Sequence, residues 1–308
     1  MRRFVIDTDT ASDDAVAIMM AMAHADVHVE AITVVAGNVS MEQASINARF
    51  VVELMGAQVP VYPGCTSPWL RALEIADWFH GADGMGNQHY PPPNQPEQSM
   101  HAVEALLQLF EKHPKALTLV TLGPLTNIAT ALSIEPRLAQ WVEHCYVMGG
   151  AANIEGNVTP AAEYNMWVDP EAAQKVMQSG MPITLLGWEL SRGDSALSDE
   201  DINNLRSLNT RQATIAMDCN SQALKASRDI QGEPGLALAD PCAMAVALNP
   251  SIAIEQSQHY VEVSLDSHLT RGMTVVDKLN VTGKPPNATV CYSIDAKQWK
   301  SLLIDALS

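Results

Sequence analysis

The chain has 308 residues, 47% of them apolar, and a formal net charge of −17. That length suits one large α/β domain, and the acidity disfavours nucleic acid and anionic membranes as partners. No window of about eighteen residues is continuously apolar, so no membrane span is expected.

The first strand is expected in "RRFVIDTD" and a helix in "DDAVAIMMAMAHA". Asp7 and Asp9 interrupt the opening apolar run too early for an export signal. The five cysteines lack any C-x-x-C pair and read as reduced thiols of a cytoplasmic protein. "VHVEAITVVAGN" gives a second strand, followed by a helix from about Met41 to Met55. "QHYPPPNQPEQS" is a proline-rich surface loop. Strand, Gly-Pro turn and helix recur in "ALTLVTLGPLTNIATAL", and "VEHCYVMGG" is a buried strand ending in glycines. In "DPEAAQKVMQSG", Asp169 reads as an N-cap, Pro170 as the first helical residue and Gly180 as a stop. "MPITLLGW" supplies another strand. Helical patterns run from Ser198 to about Ala226 and again through "ADPCAMAVAL". The runs "YVEVSL", "MTVVD" and "ATVCYSI" return to β type before the helix "AKQWKSLLIDAL". This alternation predicts a single α/β domain over residues 1–308: a mostly parallel central sheet flanked by helices, in an open Rossmann-like arrangement.

In such sheets ligands sit beyond the carboxyl ends of the strands. "DTDTASDD", "AGN", "TLGPLTN" and "MGG" therefore share one rim. Asp7 and Asp9 point the same way from a strand end, while Asp13 and Asp14 open the next helix. Capping explains one or two carboxylates; a hard cation, calcium or magnesium, explains four better. An EF-hand loop is excluded, because Ala11 and Ser12 stand where a ligand and a glycine belong. A strand-end D-x-D also suits an aspartyl-phosphatase of the haloacid dehalogenase type, with Asp7 as nucleophile, although Ala11 departs from that pattern.

Taken in order, "DTDTASDDA", "VVAGN", "TLGPLTNIA", "MGG…GNVTPAAEYNMWVDPEAA", "ADPCAMA" and "TRGMTVVD" resemble the inosine-uridine-preferring nucleoside hydrolase family along essentially the whole chain. The resemblance implies hydrolysis of the N-glycosidic bond of purine or pyrimidine ribonucleosides to base and ribose, a step in nucleoside catabolism and salvage. It implies calcium held by Asp9, Asp14, Asp240 and the Leu122 carbonyl, with Asp7 in support and Asp9 as the base that activates water. By the same resemblance Asp13, Asn38, Asn157, Glu163 and Asn165 bind the ribose, and the protein forms a homodimer or homotetramer. Two departures stand out. Thr10-Ala11 replaces the usual Pro-Gly, and Ala239 replaces the His or Trp that helps the base to leave. His80, in a segment resembling the family's H-G region, is the replacement acid expected here, ahead of Trp78, His89, Trp167 and Trp188. A ribonucleoside-binding protein without turnover is the remaining alternative, supported only by Ala239.

Overall fold

A computed structural model describes residues 1–308. Its centre is one nine-stranded sheet. The strands are β1 (Arg2–Thr8), β2 (Val27–Val34), β3 (Val61–Pro63), β4 (Thr118–Thr121), β5 (His144–Met148), β6 (Ile183–Leu186), β7 (Ala253–Val263), β8 (Thr274–Asp277) and β9 (Ala288–Ile294). They lie in the order β3-β2-β1-β4-β5-β6-β9-β7-β8. Pairing is parallel from β3 through β9, and β7 alone runs against its neighbours β9 and β8.

From Phe4 to Thr8 every residue of β1 is buried, as expected for a parallel strand covered on both faces. Alternation along β1 divides the core in two. Phe4 and Ile6 pack with the helices Ser12–Ala23 and Ala239–Leu248. Val5 faces the other layer, with the helices Thr126–Ile134 and Pro170–Met177. Both Ser12–Ala23 and Ala239–Leu248 are apolar almost all round because each is sandwiched between the sheet and further helices.

The expected strands and long helices form, and the mostly parallel α/β architecture is the one found. Four features depart from the reading of the sequence. The strand β3 is only Val61–Pro63, and the helix Ala102–Lys112 follows the proline-rich loop. A single turn, Asp77–His80, carries His80. β7 begins at Ala253, well before "YVEVSL", because its first half pairs with β9 while its side chains remain exposed.

Candidate active site

The carboxyl ends of β1, β2, β4 and β5 form one rim, and the helix Ala239–Leu248 brings its first turn to the same place. Asp9 leaves the end of β1 fully buried, and one of its oxygens, Oδ2, accepts the Asn38 backbone N–H at 2.6 Å. The chain can close round it only because two neighbours lack side chains. A Cβ on Gly37 would stand 2.1 Å from Asp9 Oδ2, and one on Gly123 would stand 2.7 Å from Asp9 Oδ1. This is the physical content of "AGN" and "TLGPLTN": glycine where the backbone meets a carboxylate.

Asp7, one layer deeper, ties three elements together. Its Oδ2 accepts from Thr33 Oγ1 of β2 at 2.6 Å and from Asn127 Nδ2 of the helix Thr126–Ile134 at 2.9 Å. Burial pushes the Asp7 carboxyl up to about 7. Asp14 anchors the start of its own helix, accepting from Thr8 Oγ1 at 2.6 Å and from the Ala11 N–H at 2.9 Å. Capping therefore does account for part of Asp14, since Ala11 offers no side chain of its own to cap that helix.

Asp13, Asp14 and Asp240 converge, each offering an oxygen within 4.8 Å of the others. Asp9 stands beside this triple rather than in it, close enough for its titration to respond to the charges of Asp14 and Asp13. Burial, reinforced by mutual repulsion, raises the carboxyls of Asp9, Asp14 and Asp240, and burial raises that of Asp13. No lysine or arginine is paired with any of them. Asp9 Oδ1 and Asp13 Oδ1 are buried without a hydrogen-bond partner. Uncompensated buried carboxylates are costly, and this all-oxygen donor set fits a hard divalent cation.

Above the carboxylates opens a cleft lined by 19 residues. Asp13, Asp240, Asn38 and Leu122 form part of its wall, and so do Asn157, Glu163 and Asn165. Asp7, Asp9 and Asp14 lie behind that wall. Glu163 caps the helix Tyr164–Val168; its carboxylate accepts the N–H groups of Gly150 (2.8 Å), Asn165 (2.9 Å) and Met166 (3.3 Å), and burial lifts it to about 7. Asn157 Oδ1 accepts the Tyr164 N–H at 2.9 Å, which leaves its amide nitrogen to donate into the cleft. Asn165 Nδ2 donates to the Leu122 carbonyl at 2.7 Å, leaving its oxygen as an acceptor.

His80 also reaches the cleft, from the turn Asp77–His80. Its Nδ1 shares a 2.8 Å hydrogen bond with Ser12 Oγ and lies 3.7 Å from Asp13 Oδ1. Burial draws its imidazole down to about 4, so it is neutral near pH 7. Ala239 faces the same space and offers no proton. Trp78 and Trp188 line the cleft. His89 is largely solvent-exposed, and Trp167 packs under Arg271 instead. Reading the sequence missed Ser12, Ser191 and Gln231. Ser12 is hidden in the acidic motif, Ser191 ends the short 3-10 helix Trp188–Ser191, and Gln231 sits in an irregular segment, neither with a spacing signal.

Polar groups sized to hydroxyls, carboxylates suited to a cation and an apolar far wall match a small polar ligand with one flat, less polar end. The family model described as "Inosine-uridine preferring nucleoside hydrolase" matches residues 4–301. The pyrimidine-specific ribonucleoside hydrolase RihA of Shewanella sp. (strain MR-4) is 38% identical over 100% of this chain and 96% of its own length. Its namesake from Photobacterium profundum is 36% identical over 100% and 99%. Among solved structures, a plant nucleoside hydrolase, the PpNRh1 enzyme, superposes with a TM-score of 0.94 at 30% identity, covering 99% of this chain and 98% of its own. A purine-preferring ribonucleoside hydrolase from Gardnerella vaginalis gives 0.92 at 28%, with the same coverage.

Proposed function

This chain belongs to the inosine-uridine preferring nucleoside hydrolase family and is a ribonucleoside hydrolase, and from that premise we propose a calcium-dependent enzyme that prefers pyrimidine ribonucleosides. The observation that carries the proposal is the convergence of Asp13, Asp14 and Asp240, with the orphaned oxygens of Asp9 and Asp13, at the floor of the cleft. Asp9, Asp14, Asp240 and the Leu122 carbonyl would hold the cation. Asp13 is on the cleft wall and Asp14 is behind it, which favours Asp13 as the acceptor for the ribose 2′-hydroxyl. When bound, calcium supplies Lewis acidity toward the attacking water and the ribose hydroxyls.

The chain's own groups divide the remaining work. Asp9 takes the water proton at Oδ1, the oxygen that no internal donor uses. Asn157 and Glu163 orient the 5′-hydroxyl, Asn165 the 2′- and 3′-hydroxyls, and Asn38 closes the ribose site. His80 is the one imidazole on the wall and serves the departing base. The pyrimidine preference draws support from the 38% identical relatives, which are named pyrimidine-specific. Products would be free base and ribose in nucleoside catabolism, in a cytoplasmic homodimer or homotetramer. No helix is long and apolar enough to cross a membrane.

The phosphatase alternative fares poorly. Asp7, its nucleophile, is buried behind the cleft wall with one oxygen committed to Thr33 and Asn127. Following reducing sugar from uridine, cytidine, inosine and adenosine, with and without chelator, tests the proposal. Sugar release from uridine that chelator abolishes and calcium restores is expected. Release of phosphate from a monoester would favour the phosphatase, and tight binding with no sugar release would favour the binding protein.

A further inference from the structure

Two irregular segments contribute to the wall of the cleft, and they come from distant parts of the chain. One follows β5 and contributes Asn157; the other precedes the helix Ala239–Leu248 and contributes Gln231. The first is bonded to the sheet where it leaves β5, the Gly149 N–H donating to the Leu186 carbonyl at 3.0 Å, and the second is paired at Leu236 with Leu197; neither forms a strand of the sheet. A single guanidinium joins them. Arg192 donates from Nη1 to Glu155 Oε1 of the first segment at 3.0 Å. It donates from Nη2 to the Gln231 carbonyl at 3.4 Å and from Nε to Glu233 Oε2 at 3.4 Å in the second. Its Cζ lies over the Trp188 ring, 4.7 Å from the centroid. Trp188 itself lines the cleft and donates its indole N–H to the Glu155 carbonyl at 2.8 Å.

All three guanidinium nitrogens are used, and each leads to a wall segment or to its support. Only arginine has the planar fork that permits this; a lysine is a single point charge. The two carboxylates are unequal partners. Glu155 is exposed, and its ion pair is worth little alone. Glu233 is 5% exposed, and its other contact is the Gly193 N–H at 3.3 Å. Without Arg192 the Glu233 carboxylate would be buried and unpaired, which drives a segment toward solvent.

We propose that Arg192 is a positioning residue for catalysis, a clasp that holds the two irregular walls of the cleft in their substrate-binding arrangement. It touches neither substrate nor the carboxylate centre. Its contribution is that Asn157 and Gln231 are already ordered when a ribonucleoside arrives, so their ordering is not charged against binding. The inference rests on reading the cleft as the nucleoside site.

The test compares wild type, Arg192→Ala, Arg192→Lys and Glu233→Gln, all loaded with calcium, by uridine kinetics and by amide hydrogen exchange. Arg192→Ala is expected to raise KM about 10-fold, the scale of ordering one or two further side chains, with kcat changed much less. Arg192→Lys should recover only part of that loss, and Glu233→Gln should give a smaller rise than Arg192→Ala. Exchange should quicken in residues 151–163 and 230–238 and stay unchanged in residues 7–14. An unaltered KM in Arg192→Ala, full recovery by lysine, or exchange that quickens evenly along the chain would overturn the inference. A wild-type protein that releases no sugar from any ribonucleoside would instead overturn the functional reading on which it rests.

Discussion

Asp9 gives one oxygen to the Asn38 amide and keeps the other free of internal donors, a division of labour that a carboxamide cannot reproduce. Under the proposed mechanism Asp9→Asn keeps a ligand oxygen but removes the base, so kcat should fall by at least about 10²-fold, with substrate affinity much less affected; initial rates and equilibrium binding of a ribonucleoside separate the two. Ala239 lines the cleft and has no proton to offer a departing base. Rates should therefore follow leaving-group ability, and p-nitrophenyl riboside should be cleaved readily. His80→Ala is expected to cost natural nucleosides roughly 10²-fold more than the nitrophenyl substrate if the imidazole assists the base. Equal losses on both would reduce His80, with its bond to Ser12, to a wall of the cleft.

The helix Pro170–Met177 shows what a single cap does for an element. Asp169 accepts the Ala172 N–H at 3.1 Å through Oδ1, while Oδ2 takes Thr126 Oγ1 at 2.7 Å and the Trp69 N–H at 3.0 Å. Asp169→Ala should lower stability by about 1–3 kcal/mol, a lost cap plus buried partners left without an acceptor, measurable as a shifted denaturant midpoint with unchanged slope. This cap is readable from "DPEAAQKVMQSG" because Asp, Pro and Gly each have a positional reason to be there. The strands of the sheet's centre are equally legible from their apolar runs. Ala102–Lys112 escapes notice beside the proline-rich loop despite a clear apolar face, buried at Ala102, Val103, Ala105, Leu106 and Phe110. Strand order is not legible, since nothing local in "ATVCYSI" says that β9 lies between β6 and β7. In the site, the acidic motif is legible as a cluster. The grouping of Asp13 with Asp14 and Asp240, with Asp9 to one side, depends on a helix start and a partner more than two hundred residues away. Arg192 gives no signal at all, because its partners converge only in three dimensions.

At the scale of the whole molecule, buried carboxylates that repel one another oppose the fold until a cation offsets them. Calcium should raise the melting temperature and chelator should lower it, with roughly 2.7 kcal/mol gained at about a hundred times the dissociation constant. Calorimetry with magnesium in parallel would show whether the site selects the larger ion, and an unchanged transition would remove the cation from the proposal. The sheet order has a consequence for how the molecule comes to exist. Because β9 joins β7 to β6, a nascent chain emerging in order displays β7 and β8 before the strand that connects them to the rest. Until β9 arrives, β6 presents an unpaired edge and the β7–β8 ribbon is adrift, two surfaces open to pairing with another copy. Completion of the sheet should therefore wait on one late insertion, and crowded, rapid synthesis should favour aggregates seeded at that gap.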